Sequence, residues 1–243
     1  MKTKTVVPYS EQSGSKKEQV AQMFNSISHK YDFLNHFLSL GIDKLWRKKA
    51  VNYLKKYNPK DVLDIATGTG DFAIQCLKAN PNKIIGIDIS TGMLEVGRRK
   101  LEKQGLTSQI ELLEGDSENI QFEDNSFDAA IVAFGVRNFE NLEKGLLEIN
   151  RVLKKDGVLI VLEFSKPSVF PFKQIYNVYF NHILPRFGKA ISKDSAAYTY
   201  LPESVKAFPD GQAFMDILKK VNFTPIKWKP LTFGISSIYI GQK

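Results

Sequence analysis

The sequence predicts an α/β fold: an open, doubly wound sheet of seven strands, mostly parallel, with helices on both faces. Three observations support this prediction. Strand and helix patterns alternate through the middle of the chain, which is typical of a parallel sheet. A glycine-rich turn joins the first strand to the first helix of this series. The last two strand patterns lie close together, so we expect them to close the sheet as an antiparallel hairpin.

The N-terminal segment precedes the sheet. Residues 1–15 are polar and aperiodic, so we expect a flexible tail. Apolar residues then recur at helical spacing from Gln19 to Tyr57, and they predict a helical preface over residues 16–58. A chain of 243 residues can bury one large core. We therefore interpret residues 16–243 as a single domain.

The predicted elements of the sheet follow in order. Short apolar runs mark strands, and apolar residues at helical spacing mark helices. The strands are Val62–Ala66, Ile84–Asp88, Ile110–Leu113, Phe127–Phe134, Gly157–Phe164, Thr224–Trp228 and Gly234–Ile240. The helices are Gly70–Lys78, Gly92–Gln104, Leu142–Leu153 and Gly211–Lys220. An aromatic-rich interruption at residues 166–207 separates the fifth strand from the last helix.

Composition limits the function classes. The net charge of +8 favours anionic partners, but the lysines are spread along the chain, and we expect no nucleic-acid partner. One cysteine and three histidines without zinc-site spacing predict no metal. The chain lacks a signal-peptide core and any apolar run near the roughly 20 residues that span a bilayer, so we expect a cytoplasmic protein. Without a heptad pattern, no oligomeric state is predicted.

The glycine turn is the first sign of a cofactor site. Gly68-Thr69-Gly70 joins a buried strand to a helix in a G-x-G-x-x-A pattern, where glycine lets the backbone approach a ligand. Asp88 ends the next strand about 20 residues on, where it can accept hydrogen bonds from ribose hydroxyls. Together these features fit NAD and S-adenosylmethionine equally well.

Two further acids favour S-adenosylmethionine. Asp64 precedes the turn, and Asp116 follows the third strand. A carboxylate beside the loop repels a pyrophosphate but can hold the ammonium and sulfonium end of S-adenosylmethionine, while Asp116 can accept from the adenine amino group. Each acid has a structural alternative as a turn cap, helix cap or loop residue. The candidate cofactor residues are Asp64, Gly68, Thr69, Gly70, Asp88, Ile89, Asp116, Ser117 and Ala133.

Across residues 60–165 this pattern of acids and glycines resembles the class I S-adenosylmethionine-dependent methyltransferases, which have a Rossmann-like fold. Three other stretches resemble the ubiquinone/menaquinone biosynthesis C-methyltransferases, and the likeness covers nearly the whole chain from about Lys16. They are YDFLNHFLSLGIDKLW at 31–46, FGVRNF at 134–139 and YTYLPESV at 198–205.

The chain departs from this family at two places. Asp43 stands where the family usually has histidine, which matters if that histidine is catalytic. Lys155-Asp156-Gly157 replaces a proline-glycine-glycine turn, and Asp-Gly still supplies turn chemistry.

The resemblance implies methylation of a ring carbon in a polyprenyl quinol, foremost demethylmenaquinol going to menaquinol. Arg137 and Asn138, just past the fourth strand, can stabilise the phenolate oxygen. Their alternative roles are a surface ion pair and a helix cap. Candidates for the proton acceptor are His182, Tyr198, Tyr200 and water polarised by Arg137.

The aromatic stretch 170–187, within the interruption at 166–207, sits where this fold inserts elements that recognise the acceptor. Its lysines and arginine beside aromatic residues suit a lid that rests on the inner face of a membrane and admits a prenyl tail. A helix packed on the sheet is the alternative interpretation, and both can hold.

The sequence leaves several rival functions, some of which use S-adenosylmethionine and one of which uses NAD instead. The first rival is a methyltransferase for another acceptor, such as a ubiquinone precursor, a phenol, a sterol or a phospholipid. An NAD-dependent oxidoreductase is disfavoured by Asp64 and Asp116. A non-catalytic binding protein is expected to have a degraded loop, and an RNA methyltransferase is expected to carry a clustered basic stripe.

Overall fold

The computed structural model describes residues 6–39, 41–179 and 196–243. Seven strands in these ranges form one sheet in the order β3-β2-β1-β4-β5-β7-β6. The strands are β1 (Asp61–Ile65), β2 (Lys83–Asp88), β3 (Ile110–Glu114), β4 (Phe127–Ala133), β5 (Leu153–Phe164), β6 (Ile226–Leu231) and β7 (Ser236–Gln242). The first five are parallel, and β7 runs antiparallel to both β5 and β6. The predicted sheet is confirmed.

Helices cover both faces of the sheet. The described helices are α1 (Lys16–Leu38), α2 (Ile42–Leu54), α3 (Asp71–Cys76), α4 (Thr91–Gln104), α5 (Leu142–Val152), α6 (Phe172–Val178), α7 (Ala196–Ala207) and α8 (Gln212–Lys220). Successive strand residues point to opposite faces. Val62 accordingly packs in the core with α2, α3 and α4, while Leu63 packs in the core with α5 and α8. None of the helices in the described ranges is long and apolar enough to cross a bilayer.

Two predicted strand boundaries, those of the fifth and sixth strands, are wrong. The predicted turn at Lys155-Asp156-Gly157 lies inside β5 as a bulge: Asp156 has a φ of 65°, and the pairing with β4 jumps from Leu153 to Val158. The sixth strand lies at Ile226–Leu231 and continues through Pro230. Proline is tolerated there because β6 is the edge strand, where an amide donor is dispensable.

Helix α1 docks on the start of α4, next to the carboxyl ends of the parallel strands. The Oδ1 atom of Asn25 accepts hydrogen bonds from the hydroxyl of Ser90 at 2.8 Å and from the amide of Gly92 at 2.9 Å. Gly92 permits this approach because a Cβ atom there would lie 3.1 Å from Asn25 Oδ1. The helical preface is therefore part of the wall above the strand ends.

Candidate functional site

The central crevice of the sheet opens between β1 and β4, where the strand order reverses. Open α/β sheets bind ligands at this point. Each strand is followed by a non-glycine residue in the left-handed region, Ala66 with a φ of 52° and Phe134 with a φ of 59°. Such strained residues cluster at ligand sites. Gly135 is required beside them, because a Cβ atom there would lie 2.6 Å from the Cβ of Ala66.

A cleft lies above this crevice, and both the sheet and helix α1 form its walls. The predicted cofactor residues that line it are Gly68, Asp88, Ile89, Asp116, Ser117 and Ala133. Helix α1 contributes Lys17, Val20, Phe24 and Tyr31. The sequence indicated the first group through strand ends, but the second group belongs to a helix that we interpreted only as a preface.

Asp88 lies at the end of β2, in contact with the glycine loop. Its carboxylate accepts hydrogen bonds from the amides of Gly68 and Ser90, both at 2.8 Å. Burial raises its pKa to about 6, although these amides oppose the shift. Ser90, rather than Asp88, caps helix α4, since its side chain accepts from the amide of Met93. The alternative role of Asp88 as a helix cap is therefore wrong.

Asp64 is buried at the end of β1 beside the same loop. One carboxylate oxygen, Oδ2, accepts from the hydroxyl of Thr67 at 2.6 Å, while Oδ1 is buried without a partner. Burial raises the pKa of Asp64 to about 7, although the hydroxyl of Thr67, the amide of Ala73 and the positive charge of Arg47 oppose the shift. An unsatisfied buried carboxylate oxygen is costly, and a cationic ammonium group satisfies it best. The residue therefore fits the amino-acid end of S-adenosylmethionine.

Asp116 has a partner that the sequence did not reveal. Its Oδ2 binds the ammonium of Lys17 on α1 at 2.6 Å, and its Oδ1 accepts from the amide of Glu118 at 2.8 Å. Contact with an adenine amino group would therefore share the carboxylate with Lys17. Both residues line the cleft, and because the ion pair is partly exposed, it contributes little to stability.

The two other predicted residues of the loop, Thr69 and Gly70, differ in position: Thr69 lines a cavity, whereas Gly70 shapes the turn. Thr69 lines a small polar cavity that adjoins the cleft, and its hydroxyl donates to Asp32 of α1 at 2.5 Å. Gly70, with a φ of 79°, is the N-cap of α3. It does not line the cleft or that cavity, so it serves the turn rather than a surface for the ligand.

Arg137 is buried rather than displayed at the surface. Its Nη1 binds Glu163 at 2.9 Å and also donates to the carbonyl of Phe134. Glu163, at the end of β5, is fully buried. Burial raises the pKa of Glu163, although the positive charge of Arg137 opposes the shift. The predicted alternative of a surface ion pair is wrong, and Arg137 does not line the cleft.

Asn138 lines the cleft and meets the C-terminal helices. The hydroxyl of Tyr200 on α7 donates to Asn138 Oδ1 at 3.1 Å. Burial raises the pKa of Tyr200 to about 12, so this phenol stays protonated at neutral pH and acts as a donor rather than a base. Tyr198 lies on the same helix. His182 lies outside the described residues.

The charge of Arg137 acts on three buried phenol side chains. Burial raises the pKa values of Tyr31, Tyr176 and Tyr200, and the positive charge of Arg137 opposes the shift in each. These tyrosines come from α1, α6 and α7. A positive charge surrounded by buried phenol side chains can stabilise a phenolate on a bound aromatic ring. The sequence revealed Arg137, but it gave no sign that Glu163 holds it.

Comparison with known proteins places the chain among methyltransferases. The model of the ubiE/COQ5 methyltransferase family matches residues 12–243. A relative named demethylmenaquinone methyltransferase, from Bacteroides fragilis, is 49% identical over 98% of this chain and 97% of its own length. A Citrifermentans bemidjiense relative named ubiquinone/menaquinone biosynthesis C-methyltransferase UbiE is 44% identical over 94% of this chain and 97% of its own.

Solved structures share the fold at low sequence identity. A SAM-dependent methyltransferase from Thermotoga maritima has a TM-score of 0.64 at 23% identity, covering 91% of this chain and 99% of its own. The [4+2]-cyclase SpnF has a TM-score of 0.63 at 15% identity, covering 98% of this chain and 99% of its own. Because the second is described as a cyclase, this likeness supports the fold and leaves the reaction to be argued from the site.

Proposed function

Since this chain belongs to the ubiE/COQ5 methyltransferase family, we propose that it methylates a ring carbon of demethylmenaquinol to give menaquinol. The methyl donor is S-adenosylmethionine, as the sequence predicts. The observation that carries the proposal is the full-length kinship with relatives named demethylmenaquinone methyltransferase, at 49% identity for Bacteroides fragilis and 41% for Porphyromonas gingivalis.

The proposed cofactor site uses the acids at the strand ends. Bound S-adenosylmethionine supplies an electrophilic methyl group on a sulfonium. Asp88 accepts from the ribose hydroxyls, and Asp64 holds the ammonium group through its unpartnered oxygen. The remaining proposed contacts come from Gly68, Thr69, Ile89, Asp116, Ser117 and Ala133, with Gly70 shaping the loop.

The proposed acceptor side stabilises a phenolate. Bound S-adenosylmethionine would supply the methyl group: once a quinol hydroxyl has passed its proton to an acceptor, the adjacent ring carbon would form a bond to the methyl carbon as the methyl–sulfur bond breaks and the thioether leaves. The ring proton on that carbon would then pass to an acceptor to restore aromaticity, and the phenolate oxygen would take back a proton to give the quinol. Arg137, held by Glu163 at 2.9 Å, provides the positive charge, and Asn138 positions the ring from the cleft wall. We keep His182, Tyr198 and a water polarised by Arg137 as proton-acceptor candidates.

The segment at 166–207 is the proposed acceptor-side insertion, and we propose that exposed apolar side chains in its described part, residues 166–179, meet the membrane surface. Val169, Phe170 and Ile175 are exposed, and Phe172 stacks on the exposed Phe233 with ring centroids 3.6 Å apart. Apolar side chains beside lysines suit an interfacial position, from which a polyprenyl tail can enter without leaving the lipid.

A ubiquinone precursor is the second candidate acceptor. Relatives at 44% and 43% identity carry the name ubiquinone/menaquinone biosynthesis C-methyltransferase. Both acceptors present an electron-rich ring with a neighbouring hydroxyl, so the same residues can act on either.

Mass spectrometry of the reaction products tests the proposal. Purified protein is incubated with S-adenosylmethionine and chemically reduced demethylmenaquinone, and a parallel reaction contains a reduced ubiquinone precursor. We expect a gain of one methylene in the first reaction and a loss of that gain in Asn138→Ala, with cofactor binding retained. Cofactor binding without methylation of either quinol would contradict the proposed acceptor class.

A further inference from the structure

A small polar cavity lies between the glycine loop and helix α2. Its loop side carries Asp64, Thr67 and Thr69, and its other side carries Arg47. The cavity adjoins the cleft, because Tyr31, Ala66, Gly68 and Ala133 line both.

Two side chains of opposite charge line this cavity, and each has one buried atom without a hydrogen-bond partner. The side chains of Asp64 and Arg47 are 1% and 5% exposed. Oδ1 of Asp64 and Nε of Arg47 are both buried without a hydrogen-bond partner. Leaving a buried charged atom unpaired is costly, so a pair of such atoms at one cavity indicates a ligand that carries both a cation and an anion.

Arg47 is held in place from two sides. Its Nη1 pairs with Asp43, one helical turn earlier, and its guanidinium carbon lies 5.5 Å from the ring centroid of Phe134. Asp43 is itself fixed by the hydroxyl of Ser39 at 2.7 Å and by Nδ1 of His36 at 2.9 Å. The guanidinium is therefore oriented before any ligand arrives, which reduces the entropy lost on binding.

The third charged side chain that lines the cavity, Asp71, does not neutralise the charge of Arg47. Its Oδ1 is bound by the ammonium of Lys100 at 2.7 Å. The cavity thus presents one guanidinium and one carboxylate with atoms to spare, which is the complement of an α-amino acid zwitterion.

We propose that Arg47 binds the carboxylate of the methionine part of S-adenosylmethionine, opposite the ammonium bound by Asp64. This inference rests on the proposed cofactor. It assigns helix α2 a part in ligand binding, and it gives Asp43, the residue that departs from the family pattern, the role of holding Arg47.

Ligands that lack charged groups of the methionine part provide the test. Decarboxylated S-adenosylmethionine keeps the ammonium and the sulfonium and lacks the carboxylate, whereas methylthioadenosine lacks all three charged groups. Calorimetric titration measures the dissociation constant of each ligand for the wild type, Arg47→Met and Asp64→Asn. Lys48→Met, at the next and exposed position of α2, is the matched control.

We expect Arg47→Met to weaken the binding of S-adenosylmethionine by about tenfold or more, as for the loss of a charge-assisted hydrogen bond. The affinity for decarboxylated S-adenosylmethionine should be unchanged. Asp64→Asn should weaken both ligands and leave methylthioadenosine unchanged, and Lys48→Met should alter none. Arg47→Lys, which keeps the positive charge, should show a smaller loss in the same direction and serves as the second variant if Arg47→Met fails to fold.

An equal loss for both cofactor forms in the Arg47 variants would overturn the inference, because a structural role predicts no dependence on the carboxylate. A wild type that binds both forms with equal affinity would also overturn it while leaving the proposed cofactor intact. A wild type that binds no S-adenosylmethionine would overturn the proposed function itself.

Discussion

Asp64 is the residue at which stability and ligand binding oppose each other. Burial raises its pKa from 3.8 to about 7, so its ionised form destabilises the folded protein without ligand. The unfolded chain releases this proton near pH 4, and the folded chain releases it near pH 7. The free energy of unfolding therefore falls as the pH rises through that window, because the folded protein holds this proton more tightly than the unfolded chain does.

Asp64→Asn should stabilise the ligand-free protein and weaken cofactor binding. At pH 8 we expect the unfolding free energy to rise by about 3 to 5 kcal/mol, the value of a shift of roughly three pKa units, and near pH 4 the gain should vanish. Thermal unfolding at both pH values measures this. Asp216→Asn, at an exposed position, controls for the change in net charge. A variant less stable than wild type at pH 8 would refute the prediction.

Single residues also show what the sequence can and cannot predict. Asp64, Asp88 and Asp116 were found because strand patterns bring their positions together at one sheet edge. Glu163 was missed because it sits in an apolar strand, where a charged residue gives no local sign of its partner. Arg47 was missed because it is followed by Lys48 and Lys49, which makes it look like part of an exposed basic helix face. The spacing of Asp43 and Arg47, four residues apart on one helix, was the available signal.

At the scale of elements, helix α4 is packed tightly behind the cofactor loop. A Cβ atom at Gly97 would lie 2.6 Å from a methyl carbon of Leu112 and 3.1 Å from the backbone of Thr69. Gly86 in β2 is equally confined, with the hydroxyl of Thr67 at 2.8 Å. Glycine at these two positions thus sets how closely the helix and strand approach the loop.

Gly97→Ala should destabilise the protein and disturb cofactor binding together. Overpacking typically costs about 1–3 kcal/mol, which outweighs the roughly 0.5–1 kcal/mol that alanine contributes inside a helix. Because Thr69 belongs to the loop, its displacement should also weaken the binding of S-adenosylmethionine. Denaturant unfolding and calorimetry measure the two effects, with the exposed Arg99→Ala on the same helix as control. Unchanged stability would contradict the packing argument.

Helix α1 is the element whose role the sequence did not predict. Its apolar spacing correctly indicated a helix, but docking against α4 depends on Asn25 meeting Ser90 and Gly92, residues more than sixty positions away. Such a long-range contact leaves no periodic signature. The strands, in contrast, follow from local patterns of apolar residues.

Asn25→Ala should loosen α1 and weaken binding of the cofactor, since the helix forms one wall of the cleft. Two hydrogen bonds to the start of α4 are lost, and we expect about 1–2 kcal/mol of local destabilisation. Hydrogen exchange along α1 and the dissociation constant of S-adenosylmethionine are the measurements. Gln22→Ala, at an exposed position one turn earlier, should change neither, and equal behaviour of the two variants would argue against the docking role.

At the scale of the whole molecule, we propose that the cofactor and the acceptor are bound by different parts of the structure. The strand ends between β1 and β4 form the proposed cofactor cleft, and we propose that the segment after β5 supplies the acceptor side. The exposed apolar face lies on that second side, where Phe170 and Phe233 are 76% and 64% exposed. We therefore expect lipid contact to affect delivery of the acceptor and not binding of the cofactor.

Phe170→Ser combined with Phe233→Ser should lower turnover only when the acceptor is embedded in lipid. Two exposed aromatic side chains lost from an interfacial face should reduce vesicle binding several-fold. Co-sedimentation with anionic vesicles and turnover of vesicle-bound demethylmenaquinol measure this. Turnover of a short-chain, water-soluble quinol should stay unchanged, and an equal fall for both acceptors would contradict membrane docking.

The central claim is that the methyl group goes to a ring carbon of a quinol. The most direct measurement is nuclear magnetic resonance of the product formed from reduced demethylmenaquinone and S-adenosylmethionine labelled with carbon-13 in its methyl group. We predict a labelled methyl bonded to an aromatic carbon and the loss of one ring proton. A labelled methoxy signal, with the ring proton retained, would contradict the account.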